Sequence, residues 1–245
     1  AAALRSAGLP PPPAPAGRLL AALAAAGVFR LRAVLVGSRA FATYPALLGV
    51  ALPEALGRTT DVDIAQDPAV SAMLDDRIGQ PIEAILRERA DPGFAAVPDV
   101  PGEWRAPALG LRLFTCNRGG RAPRRHLPAL RADGPALRMM DFLLRDPVPA
   151  VVPHDAGVLV EVPDPARYAV HGLMIATRRA DPDGARKALA QAAALIAVLA
   201  GDRPRALAAA HAEAWARGPA WRTALKDGGA GLPEPARTAL ALLTR

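Results

Sequence analysis

Two aspartates separated by one residue are the side chains in this sequence best suited to chemistry. Asp61 and Asp63 lie in the stretch "TTDVDIAQD", whose apolar residues predict a β-strand. Side chains two apart on a strand point to the same face, so we expect the two carboxylates side by side, with Val62 and Ile64 toward the core. Two carboxylates this close repel each other unless a cation lies between them. Mg²⁺, which prefers oxygen ligands, is the expected ion.

A glycine and a serine end an earlier apolar run and offer a place for a phosphate. The stretch "LRAVLVGS" predicts a buried strand that turns at Gly37 and Ser38. Such a turn presents backbone N–H groups and a hydroxyl with no bulky side chain in the way. Together with Arg39, these residues are candidates for binding the phosphates of a nucleoside triphosphate. Asp61 and Asp63 would hold its metal during an in-line displacement.

The alternative is that both features are ordinary. Glycine-serine turns occur in many strand-to-helix connections, and an Asp-x-Asp pair is also typical of a solvated strand end. The order of strand, Gly-Ser turn, helix and Asp-x-Asp strand over residues 34–65 favours a site.

The pattern around these residues predicts an α/β (α+β) fold. We expect a small mixed sheet with flanking helices, followed by a helical C-terminal half. The basic stretch 117–134 is rich in Gly, Pro and Arg and predicts a loop. The expected strands are 31–38, 59–67, 109–116 and 157–165, and the expected helices are 17–27, 39–50, 71–90 with a break at 79–81, 135–146, and most of the chain from 166.

Composition changes along the chain predict three parts. Residues 1–16 are rich in proline and predict an arm or linker. Residues 17–165 are expected to form the α/β domain, and residues 166–245 a helical C-terminal region.

The net charge of +7 has two interpretations. It fits a polyanionic partner such as a nucleotide or RNA, and it also fits a GC-rich genome, because nearly all the basic residues are arginine. The lone Cys116 excludes an intramolecular disulfide and a cysteine zinc cluster. We therefore expect a reducing, cytoplasmic setting. No uninterrupted run of eighteen apolar residues occurs, so we expect no membrane span. The oligomeric state is left open.

Residues 34–65 resemble the nucleotidyltransferase superfamily of the polymerase-beta kind, whose hallmark is Gly-Ser at a helix start and Asp-x-Asp on the next strand. The longer pattern, with "VEVPDPARYAVHGLMIATRR" and "KALAQAAALIAVL", is similar to a bacterial family of stand-alone nucleotidyltransferase-fold proteins. That family is distantly similar to the nucleotidyltransferase toxins of abortive-infection systems. The resemblance covers roughly residues 30–200. It implies phosphate contact at Gly37 and Ser38 and metal binding at Asp61 and Asp63, and it says little about the acceptor. The leading hypothesis is a protein that binds a nucleoside triphosphate with Mg²⁺ and transfers a nucleotidyl group to a hydroxyl of an unknown acceptor, RNA or protein.

The sequence departs from this family at charged positions. The superfamily supplies a third carboxylate from a later strand, and the best candidate strand, "LRLFTCNRG", has Arg112 at the expected place. A guanidinium neither binds magnesium nor accepts a proton. Asp141 is the next possible donor. The resembled pattern also has a lysine where this chain has Gly172 and an aspartate where it has Ala188. A catalytically degenerate member that acts as a nucleotide-binding or regulatory module is therefore the rival hypothesis.

Other residues carry two interpretations each. A basic group in the predicted loop would grip a triphosphate tail or RNA, or would form a solvated surface. Arg178, with Arg179, would reach the triphosphate, or would be an ordinary last-turn residue. We expect His171 to be a packed core histidine rather than a catalyst. We expect Trp215 and Trp221 to anchor the core of the C-terminal helices. The basic group consists of Arg118, Arg121, Arg124, Arg125 and His126.

Overall fold

A mixed sheet organises the first half of the chain, because the apolar runs at residues 34–36, 61–66 and 109–117 fold as strands with at least one buried face. The structure is a computed structural model that describes residues 2–6, 9–119 and 122–244. The strands in chain order are β1 (Val34–Val36), β2 (Asp61–Gln66), β3 (Ala95–Ala96), β4 (Glu103–Ala106), β5 (Leu109–Asn117), β6 (Arg124–Leu127), β7 (Ala132–Arg138), β8 (Val148–Val152) and β9 (Val158–Val162).

The long strand β5 lies at the centre of this sheet. On one side it pairs in parallel with β2, which pairs antiparallel with β1. Its first half also pairs antiparallel with β4, which pairs with β3, and its last residues pair in parallel with β7, which pairs with β6. Strands β8 and β9 form a separate antiparallel hairpin. The sheet is mixed, as the sequence predicted.

Short helices surround this sheet, and α2 shows why they form. Its leucines Leu19, Leu20 and Leu23 recur at helical spacing and are buried. It starts at Ala14, three residues before the predicted start, because a proline is tolerated in the first turn of a helix. The helices before residue 164 are α1 (Ala2–Ser6), α2 (Ala14–Ala25), α3 (Gly37–Phe41), α4 (Tyr44–Leu48), α5 (Glu54–Gly57), α6 (Pro68–Met73), α7 (Ile82–Ile85) and α8 (Met140–Leu143), with a π-helical turn at Leu86–Ala90 and a 3₁₀ turn at Pro128–Leu130.

The C-terminal part is helical, as predicted. Asp164 and Asp181 cap the first two of its helices by accepting backbone N–H bonds with their carboxylates. The helices are α9 (Pro165–Ala176), α10 (Pro182–Asp202), α11 (Pro204–Ala216), α12 (Pro219–Ala230) and α13 (Glu234–Leu243). Among the described residues, α10 is long and apolar enough to cross a membrane by length and composition. Here it packs against α9, α11 and α13.

The chain divides into two compact units. The first comprises Ala1–Gly49 and Gly57–Pro163, and the second comprises Val50–Leu56 and Asp164–Arg245. The predicted domain limits at 16/17 and 165/166 stay predictions.

The basic stretch at 117–134 was predicted wrongly as an irregular loop. It contains β6 and the start of β7, and β7 continues through residues expected to be helical, so that only Met140–Leu143 forms a helix. The backbone of β7 finds hydrogen-bond partners on β5 and β6, and this pairing outweighs the local Gly, Pro and Arg preference for a loop.

Candidate functional site

The two aspartates lie on one face of β2, as the spacing predicted. Their side chains are each 15% exposed, whereas Val62 and Ile64 between and beside them are fully buried. The antiparallel pairing with β1 sets Val36 opposite Asp63. The turn that follows Val36 therefore lies at the same end of the sheet as the acid pair.

Gly37 lies beside Asp63. Its φ of +65° lies in the left-handed region, and a Cβ built on it would stand 2.6 Å from Asp63 Oδ2. Glycine is needed here for backbone conformation and for space. Gly110 on β5 plays a similar part for the other aspartate, because a Cβ there would stand 2.8 Å from Asp61 Oδ1. Gly37 at the start of α3 and Gly110 on β5 thus leave room for the two carboxylates.

Arg112 binds Asp63 with a forked pair of hydrogen bonds. The parallel register of β2 and β5 sets the two residues side by side. Arg112 Nε donates to Asp63 Oδ1 at 2.7 Å, and Nη2 donates to Oδ2 at 3.0 Å. Nη2 also lies 3.5 Å from Asp61 Oδ2. One guanidinium therefore contacts both aspartates.

The remaining oxygen of the acid pair also has a cationic partner. Arg105 on β4 donates from Nη1 to Asp61 Oδ1 at 3.2 Å, and its Nη2 pairs with Glu103 at 2.8 Å. Glu103 is the cross-strand neighbour of Arg112. Burial lowers the pKa of Arg112, but the hydrogen bond and charge of Asp63, with the charges of Asp61 and Glu103, raise it above its ordinary value. Arg112 therefore stays charged at any physiological pH.

Arg39 is the buried cation of the site. Its side chain extends from α3, and the residue is only 8% exposed. Nη2 donates to the Thr59 carbonyl, while Nε finds no hydrogen-bond partner in the described residues. Burial lowers the pKa of Arg39, and the charges of Asp61 and Asp63 partly offset this effect. A buried N–H without a partner is costly, and it marks a place where an anion would be stabilised.

The residues present do not fit a two-metal centre. All four carboxylate oxygens of Asp61 and Asp63 have a guanidinium nitrogen within 3.5 Å. The face of β5 that carries Arg112 has Gly110, Phe114 and Cys116 as its other residues, and none of them is an acid. Within the described residues, no group of three or more His, Cys, Asp or Glu side chains is placed to hold a metal ion.

Asp141 does not supply the missing carboxylate. It lies near Cys116, and with Asp67 it helps burial raise the pKa of that thiol. Cys116 is six residues beyond Gly110, the β5 neighbour of Asp61, which corresponds to about 20 Å along a strand. Asp141 therefore lies toward the opposite end of the sheet, and Arg112 occupies the expected position of the third acid.

The basic residues of stretch 117–134 also lie toward the far end of β5. Arg118 pairs with Asp67 just beyond the end of β2, and His126 pairs with Asp133 at 2.7 Å. Arg124 and Arg125 are exposed on β6. The last residue of β5, Asn117, is about 17 Å along the strand from Arg112, so these residues do not join the acid pair. Arg121 lies outside the described residues.

The candidate residues of the second unit differ in their exposure to solvent. Arg178 is exposed just after α9, and its role stays a prediction. His171 is buried on α9, as expected of a core histidine. Trp215 and Trp221 are only half-buried, contrary to their expected role as core anchors. Cations lie over their rings instead: Arg222 and Lys226 over Trp215, and Arg217 over Trp221.

Gly172 and Ala188, two positions where this chain departs from the resembled pattern, lie where α9 packs against α10. A Cβ on Gly172 of α9 would stand 3.3 Å from the Ala188 carbonyl and 3.1 Å from Ala192 Cβ on α10. Ala188 is buried. Small residues at both positions let the two helices approach closely. The two positions that carry charges in the resembled pattern therefore serve helix packing in this chain.

The fold and the site together define an α/β protein with an acid pair beside a glycine-serine turn. A family model described as nucleotidyltransferase matches residues 14–216, and the chain belongs to this family. Comparisons with curated proteins and with solved structures found no significant match. The superfamily expected from the resemblance is thus confirmed at the level of the nucleotidyltransferase family.

The sequence interpretation missed three residues of the site, namely Glu103, Arg105 and Gly110. A weak signal for the first two exists, because they flank the buried Trp104 in an alternating strand pattern. Gly110 alternates with buried leucines in the same manner. Nothing local indicates that these residues face the acid pair, because that depends on strand pairing.

Proposed function

We propose that this nucleotidyltransferase-family protein binds a nucleoside triphosphate beside Gly37 and Asp63 and has lost two-metal nucleotidyl transfer. The observation that carries the proposal is the forked contact of Arg112 with Asp63, together with its contact with Asp61. A third acid at this position would bind metal or accept the proton of the attacking hydroxyl. A permanently protonated guanidinium does neither.

The charge balance of the site supports binding of an anion. Two bare carboxylates repel a triphosphate, but Asp61 and Asp63 are paired with Arg112 and Arg105, and Arg105 also pairs with Glu103. Arg39 adds a buried positive charge whose Nε has no partner in the described residues. Guanidinium groups match phosphate oxygens in geometry as well as in charge. This arrangement of guanidinium groups supports phosphate binding beside the acid pair.

Two assays on the same preparation test this proposal. Equilibrium dialysis with each labelled nucleoside triphosphate measures binding, and incubation of each α-labelled triphosphate with Mg²⁺, total RNA and cell extract measures transfer. We expect binding of at least one nucleotide, no label on RNA or protein, and weaker binding by the Arg39→Gln variant. The exposed Arg186→Gln variant serves as the control for loss of one positive charge. Thermal melting checks that each variant is folded.

Retained nucleotidyl transfer is the second candidate function. One observation favours it: Asp61 and Asp63 still share one face of β2 beside the glycine turn, in a chain of this family. An active protein would transfer a nucleotidyl group with Mg²⁺ to a hydroxyl of RNA or protein. Label transferred by the parent and lost in Asp61→Asn and Asp63→Asn would establish this function and contradict the binding-only proposal.

Some finer features stay proposals. A bacterial origin, a similarity to abortive-infection toxins and phosphate contact by Ser38 come from the resemblance. A cytoplasmic location comes from the lone Cys116, and phosphate contact by Arg178 comes from its position after α9. A regulatory role within a toxin-antitoxin-like pair belongs to the proposal of a catalytically degenerate member.

A further inference from the structure

The carboxylates of Asp61 and Asp63 are already paired with positive charges, which a bound divalent cation would otherwise supply. A metal ion at two adjacent aspartates neutralises their charge and bridges them to phosphate oxygens. Arg112 contacts three of the four carboxylate oxygens: both oxygens of Asp63, at 2.7 and 3.0 Å, and Asp61 Oδ2 at 3.5 Å. Arg105 contacts the fourth at 3.2 Å. The neutralising role is thus filled by the chain itself.

The bridging role is also available to the guanidinium groups. Arg112 uses Nε and Nη2 for the aspartates, and its Nη1 has no hydrogen-bond partner in the described residues, while 35% of the side chain is exposed. Arg39 Nε is buried without a partner in the same described residues. A guanidinium carries five N–H donors in one plane, so a single Arg112 side chain is able to hold a carboxylate on one edge and a phosphate on another.

We propose that Arg112 takes the place of the divalent cation in this site, so that the nucleoside triphosphate binds in its metal-free form. This inference rests on the proposed nucleotide-binding function and names the chemical form of the ligand. The positive charges of Arg112, Arg105 and Arg39 balance those of Asp61, Asp63 and Glu103, so none of these three carboxylates is left unpaired to bind a Mg²⁺ ion. The guanidinium groups offer N–H donors to the phosphate oxygens instead, which favours the free nucleotide over its metal complex.

The test compares nucleotide binding with and without metal in the full chain. Equilibrium dialysis with each labelled nucleoside triphosphate is run in excess EDTA and again in excess MgCl₂. We expect binding in EDTA at least as tight as in MgCl₂. Binding that requires MgCl₂ would overturn the inference and leave the proposed function intact. No binding of any nucleotide in either buffer would overturn the proposed function and this inference with it.

Variants at position 112 distinguish a cation substitute from a structural residue. Arg112→Gln is expected to weaken binding in EDTA by about tenfold or more, about 1.4 kcal/mol. Arg112→Lys keeps the charge without the fork and is expected to retain part of the affinity. Arg112→Asp supplies a third carboxylate, and we expect it to lose binding in EDTA and regain binding on addition of MgCl₂.

Two controls keep these variants interpretable. Arg186→Gln removes an exposed arginine that pairs with Asp183 and is expected to leave binding unchanged. Circular dichroism and thermal melting confirm that the position-112 variants fold. If folded Arg112→Gln and Arg112→Asp bind nucleotide in EDTA as tightly as the parent, Arg112 is not the cation substitute and the inference is overturned.

Discussion

The guanidinium of Arg112 forms a forked pair of hydrogen bonds with the carboxylate of Asp63, with Nε 2.7 Å from Oδ1 and Nη2 3.0 Å from Oδ2. The two residues are 49 positions apart in the chain and are neighbours in the parallel register of β2 and β5. Forked pairs of this kind are among the stronger charge-assisted hydrogen bonds. In this protein the pair joins an aspartate that the family resemblance assigns to metal binding with a cation supplied by the chain.

Removal of either partner should lower stability, and removal of both should cost less than the sum. The Asp63 side chain is 15% exposed and that of Arg112 is 35% exposed, so the pair is partly shielded from solvent. We expect a coupling free energy of about 1–2 kcal/mol between Asp63→Asn and Arg112→Gln, between the values for surface and buried pairs. Urea unfolding of the two single variants and the double variant measures it.

The exposed pair of Arg186 and Asp183 is the matched comparison. Both side chains are more than 70% exposed. The same cycle with Arg186→Gln and Asp183→Asn should give a coupling below about 0.5 kcal/mol. Equal couplings for the two pairs would show that the contact in the site contributes no more than a surface ion pair.

A methyl group at Gly37 should disrupt the site. Gly37→Ala combines a positive φ with a Cβ that would stand 2.6 Å from Asp63 Oδ2. We expect a loss of about 2 kcal/mol or more in unfolding free energy and a loss of nucleotide binding. Gly49→Ala is the control, because Gly49 has a φ of +68° and open space around it. It should cost about 1 kcal/mol and leave nucleotide binding unchanged. Similar behaviour of the two variants would argue against crowding at Asp63.

Two adjacent glycines of α12 should respond in opposite directions to the same substitution. A Cβ on Gly228 would stand 2.2 Å from the Leu173 carbonyl of α9, whereas a Cβ on Gly229 meets nothing within 4 Å. Gly228→Ala should destabilise the second unit by about 2 kcal/mol or more, because backbone must move. Gly229→Ala should stabilise it by about 0.5–1 kcal/mol through helix propensity. Thermal unfolding followed by circular dichroism measures the midpoint temperature of each variant. A shift of both midpoints in the same direction would contradict this prediction.

Cys116 should resist thiol reagents in the folded protein. The residue is 2% exposed, and burial, with the charges of Asp67 and Asp141, raises the pKa of its thiol far above the ordinary value, although Arg118 lowers it slightly. A raised pKa leaves little reactive thiolate at any pH up to about 9. A chromogenic disulfide reagent should therefore react with one thiol per chain in denaturant and with almost none in native buffer. Rapid reaction of the native protein would contradict this arrangement.

Much of the fold follows from the spacing of apolar residues along the sequence. The apolar runs that predicted strands became β1, β2, β5 and β9, and the region after residue 164 became helices. These predictions succeeded because side-chain alternation and helical spacing are local properties. The predictions for 117–134 and 135–146 failed because β6 and β7 depend on pairing with β5, which no local pattern contains.

For the candidate site, the sequence by itself determined the features that depend on neighbouring residues. Asp61 and Asp63 share a face because they are two apart on a strand, and the left-handed turn at Gly37 suits glycine because it alone has no Cβ. The tertiary structure alone decided what faces these carboxylates. The register of β2 with β5, and of β5 with β4, brings Arg112 and Arg105 onto the acid pair and leaves Asp141 toward the far end of the sheet. That register is set by the packing of side chains distant in sequence, because shifting a strand by one residue would turn its buried face to solvent.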